Sequence, residues 1–327
     1  MAGIGGAATV TMGLVALPAM LSRNYDKKLA LGCIGAGGAL GILIPPSVVM
    51  IIYGMITMTS IGKLFAGGIF PGLLLSSLFI LYIMTLSFLK PEVAPSIQSK
   101  EKITWKMKLI SLKDIFPVGI LIAAVLGSIF GGVCTPSEGA AIGVLGAVIL
   151  TLIYHGPNWQ LFKQATHTTI RVGGMVMWII IGAYCFATTF TALGGAAYVR
   201  ELILAVPLGY WGVFIVIQII YFLLGMLLDP GAIVMITAPV TIPIILTMGY
   251  DPVWFGIIFI MNMQMSYITP PFGYNLFYLK GIAPEGIVIR DIYLAIIPFV
   301  FLQAIGLVVV SIYPQIATFL PNLVFGA

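Results

Sequence analysis

The chain has 327 residues, of which 61% are hydrophobic and only 8% charged, whereas soluble domains run near 45–50% apolar and about 25% charged. That excludes a water-soluble enzyme and points to an all-α integral membrane protein, because apolar stretches approach the roughly 20 residues that span a hydrocarbon core of about 30 Å. The formal net charge of +5 reports membrane orientation and not nucleic-acid binding, since no basic patch is interleaved with aromatics on a polar face.

In chain order, apolar runs closed by charges predict helices over 6–21, 29–56, 64–89, 115–130, 138–154, 168–193, 210–228, 232–248, 253–279 and 292–319. Two of these carry a double proline near the middle, Pro45-Pro46 and Pro270-Pro271, and are expected to be broken helices. The runs 210–228 and 232–248 are joined only by Asp229-Pro230-Gly231, which fits a helical hairpin with a tight tip. Cys33, Cys134 and Cys185 lie inside apolar runs at spacings that make neither a metal set nor a disulfide framework.

Shifting the sequence by 225 positions superposes Gly6-Ala7 on Gly231-Ala232, Pro18 on Pro243, Leu21 on Leu246, Tyr25-Asp26 on Tyr250-Asp251, Pro45-Pro46 on Pro270-Pro271 and Tyr53 on Tyr278. The repeated unit is a hairpin arm, a Tyr-Asp turn and a proline-broken helix. Five predicted crossings, 29–56 included, lie between the two hairpins, and an odd number inverts the second unit relative to the first. With Arg23, Lys27 and Lys28 inside, 13 of the 15 basic residues fall on one side, Lys63 and Arg200 being the exceptions. The expected organisation is therefore 1–89 as the remainder of a first inverted repeat and 90–114 as a cytoplasmic linker, either plain or an amphipathic helix lying at the interface. Residues 115–327 form the second repeat, with three helices, a hairpin at 210–248, a broken helix at 252–279 and a last helix. By the same logic residues 1–21 are the second arm of a hairpin whose first arm, with an N-terminal portion, is expected to be missing.

Inverted repeats with discontinuous helices are the pattern of secondary transporters, which bind their cargo where helices are interrupted near the midplane. Pro45 and Pro46 remove the helical donors for the carbonyls of Gly41 and Ile42, and Pro270 and Pro271 do so for Ser266 and Tyr267. Such carbonyls are tolerated at membrane depth only when buried in protein or facing water, and they are good hard-cation ligands. Ser47, Asn262, Gln264, Ser266, Thr269 and Asn275 add polar side chains near the breaks. Each could equally serve interhelical hydrogen bonding. Asp229 precedes a proline and could be a helix cap, a cation ligand or both; Glu138, ending Thr135-Pro136-Ser137-Glu138, reads as a capping box. Gly35, Gly37, Gly38 and Gly41 make a small-residue face ahead of Pro45, with Gly37 and Gly41 in GxxxG spacing, a helix-packing signal. No phosphate-loop motif follows any of the glycines, so an ion gradient or a partner would have to drive transport.

The chain resembles the large membrane subunit of tripartite ATP-independent periplasmic (TRAP) transporters, the DctM-like family. The matching stretches are Gly38-Ala-Leu-Gly-Ile-Leu-Ile-Pro-Pro-Ser47 with Tyr53-Gly54, Phe70-Pro-Gly-Leu73, Thr135-Pro-Ser-Glu-Gly-Ala-Ala141, Leu228-Asp229, Asp251-Pro-Val-Trp-Phe-Gly256, and Thr269-Pro-Pro-Phe-Gly273 with Asn275-Leu-Phe277. The resemblance implies a sodium-driven elevator transporter of the bacterial inner membrane. It would take up small organic acids, such as C4-dicarboxylates or 2-oxo acids, with a small four-helix membrane subunit and a periplasmic solute-binding protein. Carried over, the ion and substrate region lies at the first tip (3–7), at Ser47, at the second tip (229–232) and at 269–275; together with the residues read from the breaks, the candidate site comprises Gly5, Gly6, Gly41, Ser47, Asp229, Gly231, Asn262, Ser266, Thr269 and Asn275. The first tip, Ala2-Gly3-Ile4-Gly5-Gly6-Ala7, lacks the serines of many relatives, so backbone carbonyls would replace hydroxyl ligands. The run Tyr274-Asn-Leu-Phe-Tyr-Leu-Lys280-Gly-Ile-Ala-Pro284 looks like a branch linked to mannitol, 2-oxo acid and aromatic acid uptake. A stand-alone sodium-coupled dicarboxylate or citrate symporter and a non-transporting scaffold or inactive fragment are the alternatives.

Overall fold

A computed structural model describes residues 5–95, 116–205 and 209–326. Every regular element among them is helical: α1 (Gly5–Leu21), α2 (Lys27–Ala39), a 3-10 turn (Leu40–Ile42), α3 (Val48–Thr57), α4 (Ile61–Leu89), α5 (Phe116–Phe130), α6 (Pro136–His155), α7 (Trp159–Ala192), α8 (Gly195–Ala205), α9 (Gly209–Gly225), α10 (Pro230–Met248), α11 (Pro252–Ser266), α12 (Tyr274–Ile282), α13 (Ile289–Ile312) and α14 (Gln315–Phe325). By length and apolarity α4, α6, α7 and α13 each suffice to cross a bilayer, and α10 also does so as a pair bent by 69° between Pro230–Ala238 and Val240–Met248. The bend falls where Pro239 and Pro243 withhold backbone donors. Most of the expected 90–114 linker lies outside the described residues.

The repeat seen in the sequence is a repeat of structure. Asp26 caps α2 by accepting the N–H groups of Lys28 and Leu29, and Asp251 caps α11 through Trp254 N–H. Each capped helix runs into a double proline in the cis form, then resumes as a short half-helix, α3 or α12. Packing is exchanged between the repeats. Arm α1 lies against α12, whereas arm α10 lies against α3; α2 packs on α13, whereas α11 packs on α4. Each broken helix thus also touches the other repeat, while α2 keeps its packing on α1 and α11 its packing on α9 and α13.

Two expectations are corrected. The run 292–319 is two helices, because Pro314 has no N–H for the Val310 carbonyl; the chain turns there, and the Trp254 indole donates to that carbonyl instead at 2.9 Å. Residues 195–205, read as a connection, form α8, whose 11 residues reach only about 16 Å and cannot span. In addition, α7 begins nine residues ahead of the expected 168, because its first turns carry polar residues that a search for apolar runs passes over.

The chain forms two compact packing units, residues 1–97 with 183–327, and residues 98–182. The first is built round α11, whose residues from Val253 to Ser266 are all buried. In the second, α5 and α6 pack closely enough that a Cβ on Gly146 would lie 2.3 Å from Leu121. These units describe packing and do not address the repeat boundaries.

Candidate functional site

The first unit brings both tips and both breaks into one neighbourhood. Gly5 and Gly6 open α1 and are buried. A Cβ on Gly5 would sit 3.1 Å from Ile42 in the first break and 3.3 Å from the Tyr267 ring in the second. On Gly6 it would sit 2.6 Å from the Tyr278 ring of α12. Gly41 closes onto the same point, its Cβ position 3.5 Å from Ala8 and 4.0 Å from the Gly5 Cα. A side chain at Gly6 would collide with the Tyr278 ring, one at Gly5 would press on its neighbours, and at Gly41 a Cβ would make only ordinary contacts.

The second tip joins through α3 and α12. A Cβ on Gly231 would lie 3.2 Å from Ile52, and the Tyr274 hydroxyl donates to the Leu227 carbonyl at 3.2 Å. The Tyr267 and Tyr274 rings stack with centroids 6.3 Å apart, so the aromatic pair runs from the first tip toward the second. Asp229 is exposed and accepts the Gly231 N–H at 3.0 Å. It is thus a helix cap with Pro230 at the first helical position, yet it makes no ion pair among the described residues.

The double prolines do strip helical donors from four carbonyls, but three of these find replacements. Ile42 accepts from the fully buried Ser47 hydroxyl, Ser266 from Thr269 N–H at 3.0 Å and Tyr267 from Asn275 N–H at 3.2 Å. The Gly41 carbonyl has no donor among the described residues. Ser47 also caps α3 by accepting Met50 N–H at 3.3 Å. Thr269 bonds back to the Met265 carbonyl at 2.7 Å. A carbonyl oxygen has two lone pairs, so the bonded ones retain capacity for a cation.

Asn275 ties the repeats together. It is fully buried; its Oδ1 accepts from Thr9 of α1 at 2.7 Å and its Nδ2 donates to the Gly35 carbonyl of α2 at 2.8 Å. Asn262 and Ser266 stand apart from this cluster, turned toward α9. Asn262 donates to the Gln218 carbonyl and to its side chain at 2.7 and 2.8 Å, and a Cβ on Gly225 would lie 2.0 Å from the Ser266 hydroxyl. Beside them a mostly apolar cavity of about 390 Å³ opens between α9 and α13. Asn262 Oδ1 and Gln218 Nε2 have no partner among the described residues, nor do the side-chain amides of Gln264 and Gln303. Glu138 closes the expected capping box with Thr135.

Sequence reasoning passed over Thr9, Gln218, Tyr267, Tyr274 and Tyr278 as side chains of the site. The first two were detectable as lone polar residues within apolar helices. The tyrosines carried no such signal, since an aromatic in a membrane helix is ordinarily packing.

Membrane-length apolar helices, two of the helices broken, and buried polar groups beside the breaks fit a membrane permease. The comparisons agree: residues 1–316 match the family described as tripartite ATP-independent periplasmic transporter, DctM component, and the chain belongs to that family. It is 31% identical to the C4-dicarboxylate TRAP transporter large permease protein DctM of Vibrio cholerae, over 98% of this chain and 74% of that protein. It is 30% identical to the ectoine TRAP transporter large permease protein TeaC of Halomonas elongata, over 98% and 73%. To the isethionate TRAP transporter permease protein DctMQ of Oleidesulfovibrio alaskensis it is 29% identical, over 97% of this chain and 49% of that protein. Permeases of this family work with a small membrane subunit and a periplasmic binding protein.

Proposed function

We propose that this permease carries out sodium-driven uptake of small organic acids across the bacterial inner membrane by an elevator motion. A periplasmic binding protein delivers the solute, and a small four-helix membrane subunit completes the complex. The observation that carries this reading is the convergence of α1's glycine tip, the second hairpin tip and both helix breaks. The donor set suits sodium: Gly41 carbonyl, Ser47 hydroxyl, Asp229 carboxylate and Thr269 hydroxyl are hard oxygen donors of the kind alkali and alkaline-earth cations prefer. Sodium bound there would supply the positive charge that attracts a carboxylate solute, while the two hairpins and two broken helices move as one body. Names of relatives span C4-dicarboxylates, ectoine and isethionate, so a small polar solute with a carboxylate or sulfonate is the class common to them. On this reading residues 1–89 and 115–327 are the two inverted repeats on either side of linker 90–114.

The test is uptake of radiolabelled organic acids into proteoliposomes holding the permease, its small subunit and the binding protein. Uptake should require both an inward sodium gradient and the binding protein, and Asp229→Asn should reduce it at least tenfold. Sodium-driven uptake without the binding protein would replace this reading with a stand-alone symporter. No uptake across a broad panel of acids would favour a scaffold.

A further inference from the structure

Helix α7 has 34 residues, about 51 Å at 1.5 Å per residue, against a hydrocarbon core of about 30 Å. Along the membrane normal about 20 Å of it would lie beyond the core, and even at a tilt of about 40° roughly 10 Å would. Its first turns carry Trp159, Lys163, His167 and Arg171 at successive intervals of four, hence on one face. All four are exposed, Trp159 by 80%. Ahead of this face a hollow of about 640 Å³ is lined by His155, Asn158, Gln160 and Lys163 among others. No aspartate or glutamate occurs anywhere between Glu138 and Glu201, so the local sequence offers no acid to neutralise the face.

We infer that this face and hollow bind the headgroups of anionic phospholipids in the cytoplasmic leaflet. The charge is complementary, and it is of one sign. A zwitterionic headgroup would bring an amine for which neighbouring sequence supplies no carboxylate, whereas a phosphodiester with net negative charge meets lysine, arginine and amide donors. Trp159 suits the same depth, since indoles settle at the boundary between headgroups and acyl chains. The inference rests on the helix crossing a membrane and is independent of the solute and of sodium. Its consequence is that the second packing unit has a lipid-held edge.

Native mass spectrometry of the full chain, released from detergent containing equal amounts of phosphatidylglycerol and phosphatidylcholine, tests this directly. Phosphatidylglycerol should be retained preferentially. Lys163→Gln and Arg171→Gln should each weaken that retention about fivefold, while Lys90→Gln, which removes an exposed charge elsewhere, should leave it unchanged. Size-exclusion elution of each variant checks that it is folded. Equal retention of both lipids by the wild-type chain overturns the inference without any variant. A preference that survives Lys163→Gln and Arg171→Gln combined in one chain, or that Lys90→Gln weakens as much, overturns it too.

Discussion

Replacing Asn275 by leucine should cost the folded permease about 2–4 kcal/mol, read as a loss of thermal stability in detergent, and should abolish sodium-dependent uptake. The side chain is wholly buried and both ends of its amide are engaged, one with Thr9 and one with the Gly35 carbonyl. Leucine fills much of the same volume but leaves the Thr9 hydroxyl without its partner, at about 1–3 kcal/mol, and removes the second donor of the Gly35 carbonyl, which keeps its helical bond within α2. The partners belong to α1 and α2, while Asn275 opens α12, so the loss falls on the contact that sets the first tip against the second break. Thr9→Val alone should cost less, since only Asn275 Oδ1 is then orphaned. The double variant should cost less than the sum of the single ones, because the valine no longer presents an unpaired hydroxyl to the leucine. Strictly additive losses would mean that the two residues do not act together.

A second large effect is expected from a single glycine in α2. A Cβ on Gly38 would lie 1.8 Å from the Thr9 hydroxyl oxygen and 2.7 Å from the Thr9 Cα; the second contact is backbone and cannot rotate away. Gly38→Val must push α1 off α2, a cost at or above the usual 1–3 kcal/mol of overpacking, and it separates the tip glycines from the first break. Its neighbour supplies the control. Gly37 is exposed, and a methyl group added to it would meet nothing within 4 Å, so Gly37→Ala should leave stability unchanged or raise it by up to about 1 kcal/mol through helix propensity. Circular-dichroism melts of the two variants should therefore diverge in sign or nearly so. Equal destabilisation would show that α1 and α2 do not pack through Gly38.

These two positions also mark how far the sequence could be read. The double prolines and the Tyr-Asp turns are local chemistry that the shift of 225 residues exposes by direct comparison, and they appear in the structure where they were expected, the aspartates of the turns proving to be helix caps. The small-residue face of Gly35, Gly37, Gly38 and Gly41 pointed to close packing, and of these Gly38 makes the tightest contact and Gly37 none, because the rotation of α2 depends on what it packs against. Asn275 was legible as a polar residue near a break. Its partner Thr9, 266 positions away, was not, since no periodicity within a helix encodes which repeat encloses it. Asn262 and Ser266 were grouped with the breaks by spacing alone. In the fold they face α9 and Gln218, because a helix bearing polar residues on several sides distributes them among different neighbours. The split at Pro314 was visible as a proline, yet the indole that satisfies the abandoned carbonyl comes from Trp254, on another helix.

The central claim is that both tips and both breaks form one sodium site, and the thermal stability of the purified chain in sodium chloride against choline chloride at equal ionic strength tests it most directly. Sodium in hundredfold excess over its dissociation constant should stabilise the folded state by about 2.7 kcal/mol, giving a higher melting temperature that Asp229→Asn and Ser47→Ala each diminish. Identical melting temperatures in the two salts, or a sodium effect untouched by both substitutions, would contradict it.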